Sequence, residues 1–283
     1  MYQASTVTEL HQYIQHWKYH RQSIAFIPTM GNLHAGHMSL IEKGQSLSDR
    51  SLCSIFVNPM QFGPNEDFNH YPRTLDSDIA KLEAIGCDLV YLPTASELYP
   101  EGLDKITQVQ VTDLTDHYEG AHRPGHFTGV ATVVLKLFNI VKPDVSVFGK
   151  KDYQQYRVIS KMVADLNLDV QIIGQETTRE ASGLATSSRN QYLDAEQTQQ
   201  AAMIYQLLRQ TGQLISTGER DYTAIEARAL QELDAAGFKT DYFKICNAET
   251  LLPAGAEDRD LVILVTAGLG ATRLLDNIEI SLW

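Results

Sequence analysis

The sequence has no cysteine pair. Cys53, Cys87 and Cys246 are scattered over 283 residues, none in a C-x-x-C spacing. An odd, unpaired count fits poorly with a disulfide framework and points to a reducing, cytoplasmic setting. Each thiol is expected to serve as a small buried hydrophobe. No secretory leader is expected either, because MYQASTVTELHQYIQHW has no basic start followed by an apolar stretch. The longest apolar run, near Leu261–Leu269, falls short of the ~18–20 residues a membrane span needs. Positive charge is scarce: 23 Lys+Arg stand against 35 Asp+Glu, a net charge of −12. Long-range repulsion then argues against nucleic acid and acidic membranes as partners. A small anionic ligand stays possible, since a local basic cluster overrides the global field. Histidine, finally, is absent beyond His126. Any histidine chemistry has to come from the first part of the chain.

What is present suits a soluble globular protein with a real core: 43% of residues are hydrophobic and 20% charged. The length favours two domains or one large one. Strand-like and helix-like stretches alternate over the first two-thirds. Ser23–Ile27, Ser51–Val57, Asp88–Leu92, Val145–Phe148 and Val170–Ile173 read as strands. His37–Gln45, Thr74–Ile85, Gly129–Val141 and Asp152–Leu166 read as helices. Such alternation predicts an α/β fold, a mostly parallel Rossmann-like sheet with helices on both faces. After about residue 178 the rhythm changes to two amphipathic helical stretches, Ala195–Ile215 and Tyr222–Ala236, then three strands, Thr240–Cys246, Asp260–Val265 and Thr272–Ile280. The expected organisation is a Rossmann-like domain over 1–177 and a smaller C-terminal α+β domain over 178–283.

The sharpest local feature is Pro28–His37, PTMGNLHAGH, between a strand and a helix. Unpaired N–H groups and the positive end of the helix dipole make such a junction a seat for phosphate. Gly31 permits a turn with φ > 0. His34 and His37, three residues apart, can face one side of the first turn and donate to a polyphosphate as charge develops on it. The same spacing could bind a metal, although zinc needs a third or fourth ligand and no obvious one is near. Either histidine could equally be a capping surface residue.

Phe148–Gln155, FGKKDYQQ, joins another strand to a helix at the same carboxyl edge. Of Lys150 and Lys151, one could face inward to neutralise phosphate; Asp152 could cap the helix or accept from a ribose hydroxyl. Thr186–Asn190, TSSRN, puts two hydroxyls and a guanidinium in one turn-rich loop, suited to a triphosphate or to a plain polar linker. In Phe56–Phe62, FVNPMQF, the amides of Asn58 and Gln61 offer donor and acceptor to a hydroxy acid. In Gly120–Gly129, GAHRPGHFTG, Arg123 is a candidate carboxylate clamp. Ordinary turn chemistry competes with each of these readings.

PTMGNLHAGH, FVNPMQFGPNEDFNHYPRTL, EGAHRPGHFTGVATVV followed by KLFNIVKPD after Leu135, FGKKDYQQ and SSRN occur in order. Together they resemble the blocks of the pantoate–β-alanine ligase (pantothenate synthetase) family, over nearly the whole chain. That family is similar to the nucleotidyltransferases that share an H-x-G-H loop and a lid loop with class I aminoacyl-tRNA synthetases. The resemblance implies a homodimer formed through the first domain. It also implies a two-step ligation: pantoate attacks the α-phosphorus of ATP, and β-alanine then attacks the pantoyl adenylate to give pantothenate and AMP. Mg²⁺ would neutralise phosphate, with no residue assigned as its ligand.

Carried over by position, Met30, Gly31, Asn32, Leu33, His34, Ala35, Gly36 and His37 would line ATP, with His34 and His37 on the phosphates and His37 the proton donor. Gly149, Lys150, Lys151 and Asp152 would also bind ATP, Lys151 neutralising phosphate and Asp152 holding the ribose. Thr178 and Thr186 would lie near the base, and Ser187, Ser188 and Arg189 would close over the phosphates. Gln61 would touch pantoate and β-alanine, and Gln155 would hold pantoate. Asn58, Arg123 and His126 would line the pocket. The family often has methionine at Thr186, an aliphatic residue at Thr178 and an acidic one at Ser182; Thr186 would make the lid more polar. The rival readings are a nucleotidyltransferase for a phosphorylated substrate, a non-catalytic nucleotide-binding module and a zinc protein using His34 and His37.

Overall fold

The computed structural model describes residues 1–64 and 66–282. Asn65, within the FVNPMQFGPNEDFNHYPRTL block, and Trp283, the last residue of the expected second domain, lie outside the described residues. The chain divides into two compact units, Met1–Lys150 with Gln154–Glu176, and Lys151–Tyr153 with the chain from Thr177 onward.

The first unit runs β1 (Tyr2–Ala4), α1 (Val7–Tyr19), β2 (Ile24–Thr29), α2 (Ala35–Gln45), β3 (Arg50–Ile55), α3 (Leu75–Ala84), β4 (Leu89–Tyr91), α4 (Ala95–Leu98), α5 (Glu119–His122), α6 (His126–Val141), β5 (Val145–Gly149), α7 (Tyr153–Asp165) and β6 (Gln171–Gln175). The six strands form one sheet in the order β1-β4-β3-β2-β5-β6, and every pair is parallel. The strands read as apolar runs because both faces are covered. Along β2, Ala25 and Ile27 face a cluster with Ile41 of α2, Cys53, Leu82 of α3 and Val147. Phe26, between them, meets the ring of Phe138 on α6 at 6.3 Å, and Phe138 in turn meets Phe148. Chain order reverses between β2 and β5. The loops leaving the carboxyl ends of these two strands therefore flank the crevice where sheets of this kind bind ligands.

The N-terminal pair is an addition to the expected layout. β1 is only three residues long, too short to show a period, and it joins the sheet edge beside β4. α1 opens on a reciprocal capping box between Thr6 and Glu9.

In the second unit, α8 (Ala195–Ala201), α9 (Met203–Ser216) and α10 (Tyr222–Ala235) precede β7 (Lys239–Asn247), β8 (Asp260–Leu269) and β9 (Thr272–Ser281). The single helix expected over Ala195–Ile215 is interrupted at Ala202. The strands form an antiparallel meander, β7-β8-β9, with a register shift between Thr240 and Tyr242. Leu207, Leu208 and Ile215 of α9 pack with Phe243, Ile263 and Val265 of the sheet to make a separate core. The expected α+β character is present.

Candidate active site

The turn after β2 is built by its neighbours. Thr29 donates its hydroxyl to the Ser54 carbonyl (2.7 Å) and accepts from the Gly31 N–H (3.2 Å). Gly31 has φ +83°, and an added Cβ would stand 3.0 Å from Ile55 Cγ2 and 3.2 Å from Asp78 Oδ2. Glycine is thus required both by the backbone and by the space. Asn32 is also left-handed, φ +49°. This shape is held by α3. The buried Asp78 carboxylate accepts the N–H groups of Asn32 (2.9 Å) and Leu33 (2.8 Å), and Lys81 Nζ donates to the Leu33 carbonyl (2.7 Å).

α2 begins with His34 as N-cap. His34 Nδ1 accepts from the Gly36 N–H at 3.1 Å, and His37 Nδ1 accepts from the His34 N–H at 3.3 Å. This is a capping box made of two imidazoles, centroids 4.1 Å apart. An Nδ1 that accepts carries no hydrogen, so in both rings the proton sits on Nε2. Two N–H donors are thereby fixed at the positive end of an 11-residue helix. The capping and the donor reading of His34 and His37 are therefore compatible, since one nitrogen serves each. Among the described residues no third His, Cys, Asp or Glu joins them in a metal cluster.

The loop after β3 meets this turn through Gln61, whose Nε2 donates to Met30 Sδ at 3.1 Å. Gln61 is held from several sides. Its Oε1 accepts from Asn58 Nδ2 (3.1 Å), and its carbonyl accepts from His126 Nδ1 (2.8 Å) and Arg123 (3.4 Å). Asn58, only 1% exposed, also donates to the Gly129 carbonyl (3.2 Å) and accepts from the Met60 N–H (3.3 Å) and the Tyr99 hydroxyl (2.7 Å). Every polar group of Asn58 is thus spent inside the protein, and it orients Gln61 rather than facing a cavity.

Arg123, the expected carboxylate clamp, already holds a carboxylate of the chain's own: Glu66 accepts from it at 2.8 and 2.6 Å. Burial pushes the Glu66 carboxyl up, but the Arg123 hydrogen bonds and charge outweigh it and hold the group below its usual range. Burial, and then the Arg123 charge, push His126 down to about 4. A neutral His126 that donates from Nδ1 to Gln61 keeps Nε2 as the acceptor for Arg123, 3.1 Å away. Gly120–Gly129 does not itself leave a strand; it runs from α5 into the start of α6.

At the end of β5, beside β2, Gly149 lies 3.8 Å (as a built Cβ) from Leu40 of α2. Lys150 pairs with Glu176 at 2.8 Å. On α7, Gln154 is buried and saturated by the Glu119 N–H and the carbonyls of Leu114 and His117. Gln155 beside it is half-buried and makes no side-chain hydrogen bond to the described residues.

In the second unit Lys151, Asp152, Ser187, Arg189, Asn190 and Arg273 line one cleft. Lys151 Nζ lies 3.7 Å from Asp152. Ser187 caps the short helical turn Ser188–Tyr192 by accepting the Arg189 N–H. Thr178 and Thr186 face each other instead: the Thr186 N–H and hydroxyl both donate to the Thr178 carbonyl, at 2.9 and 3.0 Å. The Thr186 hydroxyl is spent within the loop, so it adds less polarity to the loop surface than expected. Arg179 anchors the strand beneath, bound to Asp276 by two hydrogen bonds of 2.6 and 2.9 Å.

Asp78, Lys81, Tyr99 and Arg273 escape a reading of the sequence alone. Asp78 and Lys81 sit three apart on α3, ordinary helix-surface spacing, with nothing local to show that they grip a loop more than 40 residues earlier.

The family model described as Pantoate-beta-alanine ligase matches residues 3–279. A protein named pantothenate synthetase from Pseudomonas putida (strain W619) is 52% identical over 279 residues, covering 99% of this chain and 97% of its own. One of the same name from Alcanivorax borkumensis is 48% identical over 281 residues, covering 99% and 98%. The crystal structure of pantothenate synthetase from Thermus thermophilus superposes with a TM-score of 0.93 at 41% identity, over 99% of this chain and 100% of that one. The pantoate-beta-alanine ligase of Francisella tularensis, solved with beta-gamma ATP and beta-alanine, has a TM-score of 0.82 at 34% identity, over 98% and 97%.

Proposed function

The chain belongs to the pantoate-beta-alanine ligase family, and we propose that it condenses pantoate with β-alanine using ATP, through a pantoyl adenylate, releasing pyrophosphate and then AMP. The supporting observation is the imidazole capping box: two Nε2–H donors fixed at the start of α2, at the switch point of the sheet. Such donors are already in place when charge develops on the departing phosphates. A free carboxylate is a poor acyl donor because oxide is a poor leaving group; adenylation converts it to a mixed anhydride. In this reading His34 and His37 act on the phosphates, with His37 the proton donor, and Lys151, Ser187, Ser188 and Arg189 neutralise and close over the triphosphate. Asp152 holds the ribose, and Gln61 and Gln155 hold pantoate. The half-buried amide of Gln155 keeps its donor and acceptor for a ligand, whereas Gln154 has spent both.

In this reading Mg²⁺ enters on the phosphate oxygens of ATP, with no residue of the chain assigned as its ligand. Mg²⁺ held in that way would supply charge neutralisation on the β- and γ-phosphates. The reading includes a boundary at residue 177/178, with the C-terminal part as lid. It also takes the protein to be a cytoplasmic homodimer; the three free buried thiols suit a reducing compartment, and among the described residues no helix is long and apolar enough to cross a membrane.

The decisive experiment is product analysis. Pyrophosphate release should require pantoate, and AMP should appear when β-alanine is added; ADP as product would refute the adenylate. His37→Ala and Lys151→Ala should each cut turnover by at least ~10²-fold with little change in melting temperature. Gln155→Ala should mainly raise the KM for pantoate, and a change confined to ATP would overturn its assignment.

A further inference from the structure

Tyr99 has no part in the scheme above, yet it ends the hydrogen-bond chain that reaches Gln61. Its ring follows α4, is 4% exposed, and packs against Phe56 at 6.2 Å with the Lys136 ammonium 5.7 Å from its centroid. Burial pushes its phenol well above the ordinary range, so the group stays a neutral O–H. That hydrogen goes to Asn58 Oδ1 at 2.7 Å, the shortest bond Asn58 makes; the others, to Gln61, Gly129 and Met60, measure 3.1, 3.2 and 3.3 Å.

A primary amide is nearly symmetric in shape but opposite in polarity at its two ends. The Met60 N–H, which can only donate, and the Gly129 carbonyl, which can only accept, mark the two ends of Asn58, and Tyr99 adds its hydrogen to the carbonyl end. The NH₂ end must then point to Gly129 and to Gln61 Oε1. With Oε1 consumed as an acceptor, the NH₂ of Gln61 is the end turned towards Met30, whose thioether is a weak acceptor that a better one displaces. We infer that Tyr99 is a positioning residue which, through the shortest bond Asn58 makes, strengthens the donor polarity of the Gln61 amide, so that this position of the site reads an oxygen lone pair on the hydroxy acid. The inference rests on the reading that Gln61 touches that acid. A carboxylate offers acceptors only. A Gln61 turned the other way would set its own lone pairs against them, and the phenol hydrogen adds from a distance to the bonds that prevent it.

The test is Tyr99→Phe, which keeps the ring and removes one hydrogen-bond donor. The KM for pantoate should rise about 5- to 10-fold, with the KM for ATP changed less than about twofold. In a Gln61→Ala background, Tyr99→Phe should add nothing, because the group it orients is gone. Asn58→Asp, of the same shape but with acceptors at both ends, should force the Gln61 NH₂ inward and raise the pantoate KM further than Tyr99→Phe does. Equal losses for ATP and pantoate that track a lower melting temperature, or full additivity with Gln61→Ala, would overturn the inference. If Gln61→Ala leaves the pantoate KM untouched, the substrate assignment of Gln61 is what fails. The relay is then judged by the side-chain amide NMR signals of Asn58 and Gln61: both should shift in Tyr99→Phe, and unchanged signals would refute it.

Discussion

Gly129→Ala sets two effects of known size against each other. Within a helix, alanine is favoured over glycine by about 1 kcal/mol, so the bare expectation is a stabilised α6. The new methyl, however, would stand 2.8 Å from the Gln61 backbone nitrogen and 2.5 Å from the Met60 carbonyl carbon, closer still to that carbonyl's oxygen. All three atoms are main chain, so no side-chain rotation relieves the contact. To restore an ordinary separation, α6 and the loop at Pro59–Gln61 must part by about 1 Å. Overpacking of this kind costs about 1–3 kcal/mol, and rigid backbone on both sides favours the upper end. The net expectation is a loss of about 2 kcal/mol, which lowers Tm by about 4–8 °C for a unit of this size. Parting also pulls the Gly129 carbonyl from Asn58 and with it the aim of Gln61. Since a misplacement near 1 Å costs on the order of 10²-fold, kcat/KM for pantoate should fall about 10- to 10²-fold while the KM for ATP holds. Initial rates of pyrophosphate release over pantoate and ATP, with a thermal melt alongside, measure both. A raised Tm with unchanged pantoate kinetics would refute the reasoning.

The buried His126, held down to about 4, makes stability pH-dependent. The unfolded chain binds a proton below ~6.5 that the folded chain refuses, so its contribution is intact above that pH and declines as the pH falls towards 4, by about 3 kcal/mol in all. Urea midpoints from pH 7 to 4 should fall more steeply for the natural protein than for His126→Gln; parallel curves would contradict the assignment. The thiols should be inert in the folded state. Cys53, Cys87 and Cys246 are all buried, and burial pushes the Cys87 thiol up to about 11 and Cys53 well above its ordinary value. A chromogenic disulfide reagent should titrate three thiols in denaturant and react at least ~10²-fold more slowly without it. Rapid native reaction of any one would place it outside the core.

The sheet was legible in the sequence because buried parallel strands leave uninterrupted apolar runs, as in Ser23–Ile27 and Val145–Phe148, and Gly or Pro punctuates them. β1 was not, because three residues carry no period. α1 had a readable signal in the Thr6-x-x-Glu9 capping box. The break at Ala202 left no mark, since AEQTQQAAMIYQ favours helix on both sides of it. His34 and His37 could be found as a pair because their partners are in their own turn. What escaped was the support around the site. Arg123 looked available for a ligand because Glu66, its partner, lies 57 residues away. Asn58 looked like a pocket residue because its partners Tyr99 and Gly129 are 41 and 71 residues off. Whether a polar side chain is already spoken for is decided by the tertiary structure, and local spacing does not carry that information.

The grip of Asp78 and Lys81 on residues 32–33 has a consequence for transplantation. The ten residues from Pro28 to His37 carry their own imidazole cap but not the whole shape of the turn before it; a carboxylate and an ammonium on another helix mould residues 32–33. Grafting that decapeptide onto a different parallel sheet would carry the imidazoles across without their mould. A successful transfer would have to bring a short stretch of α3 along with it.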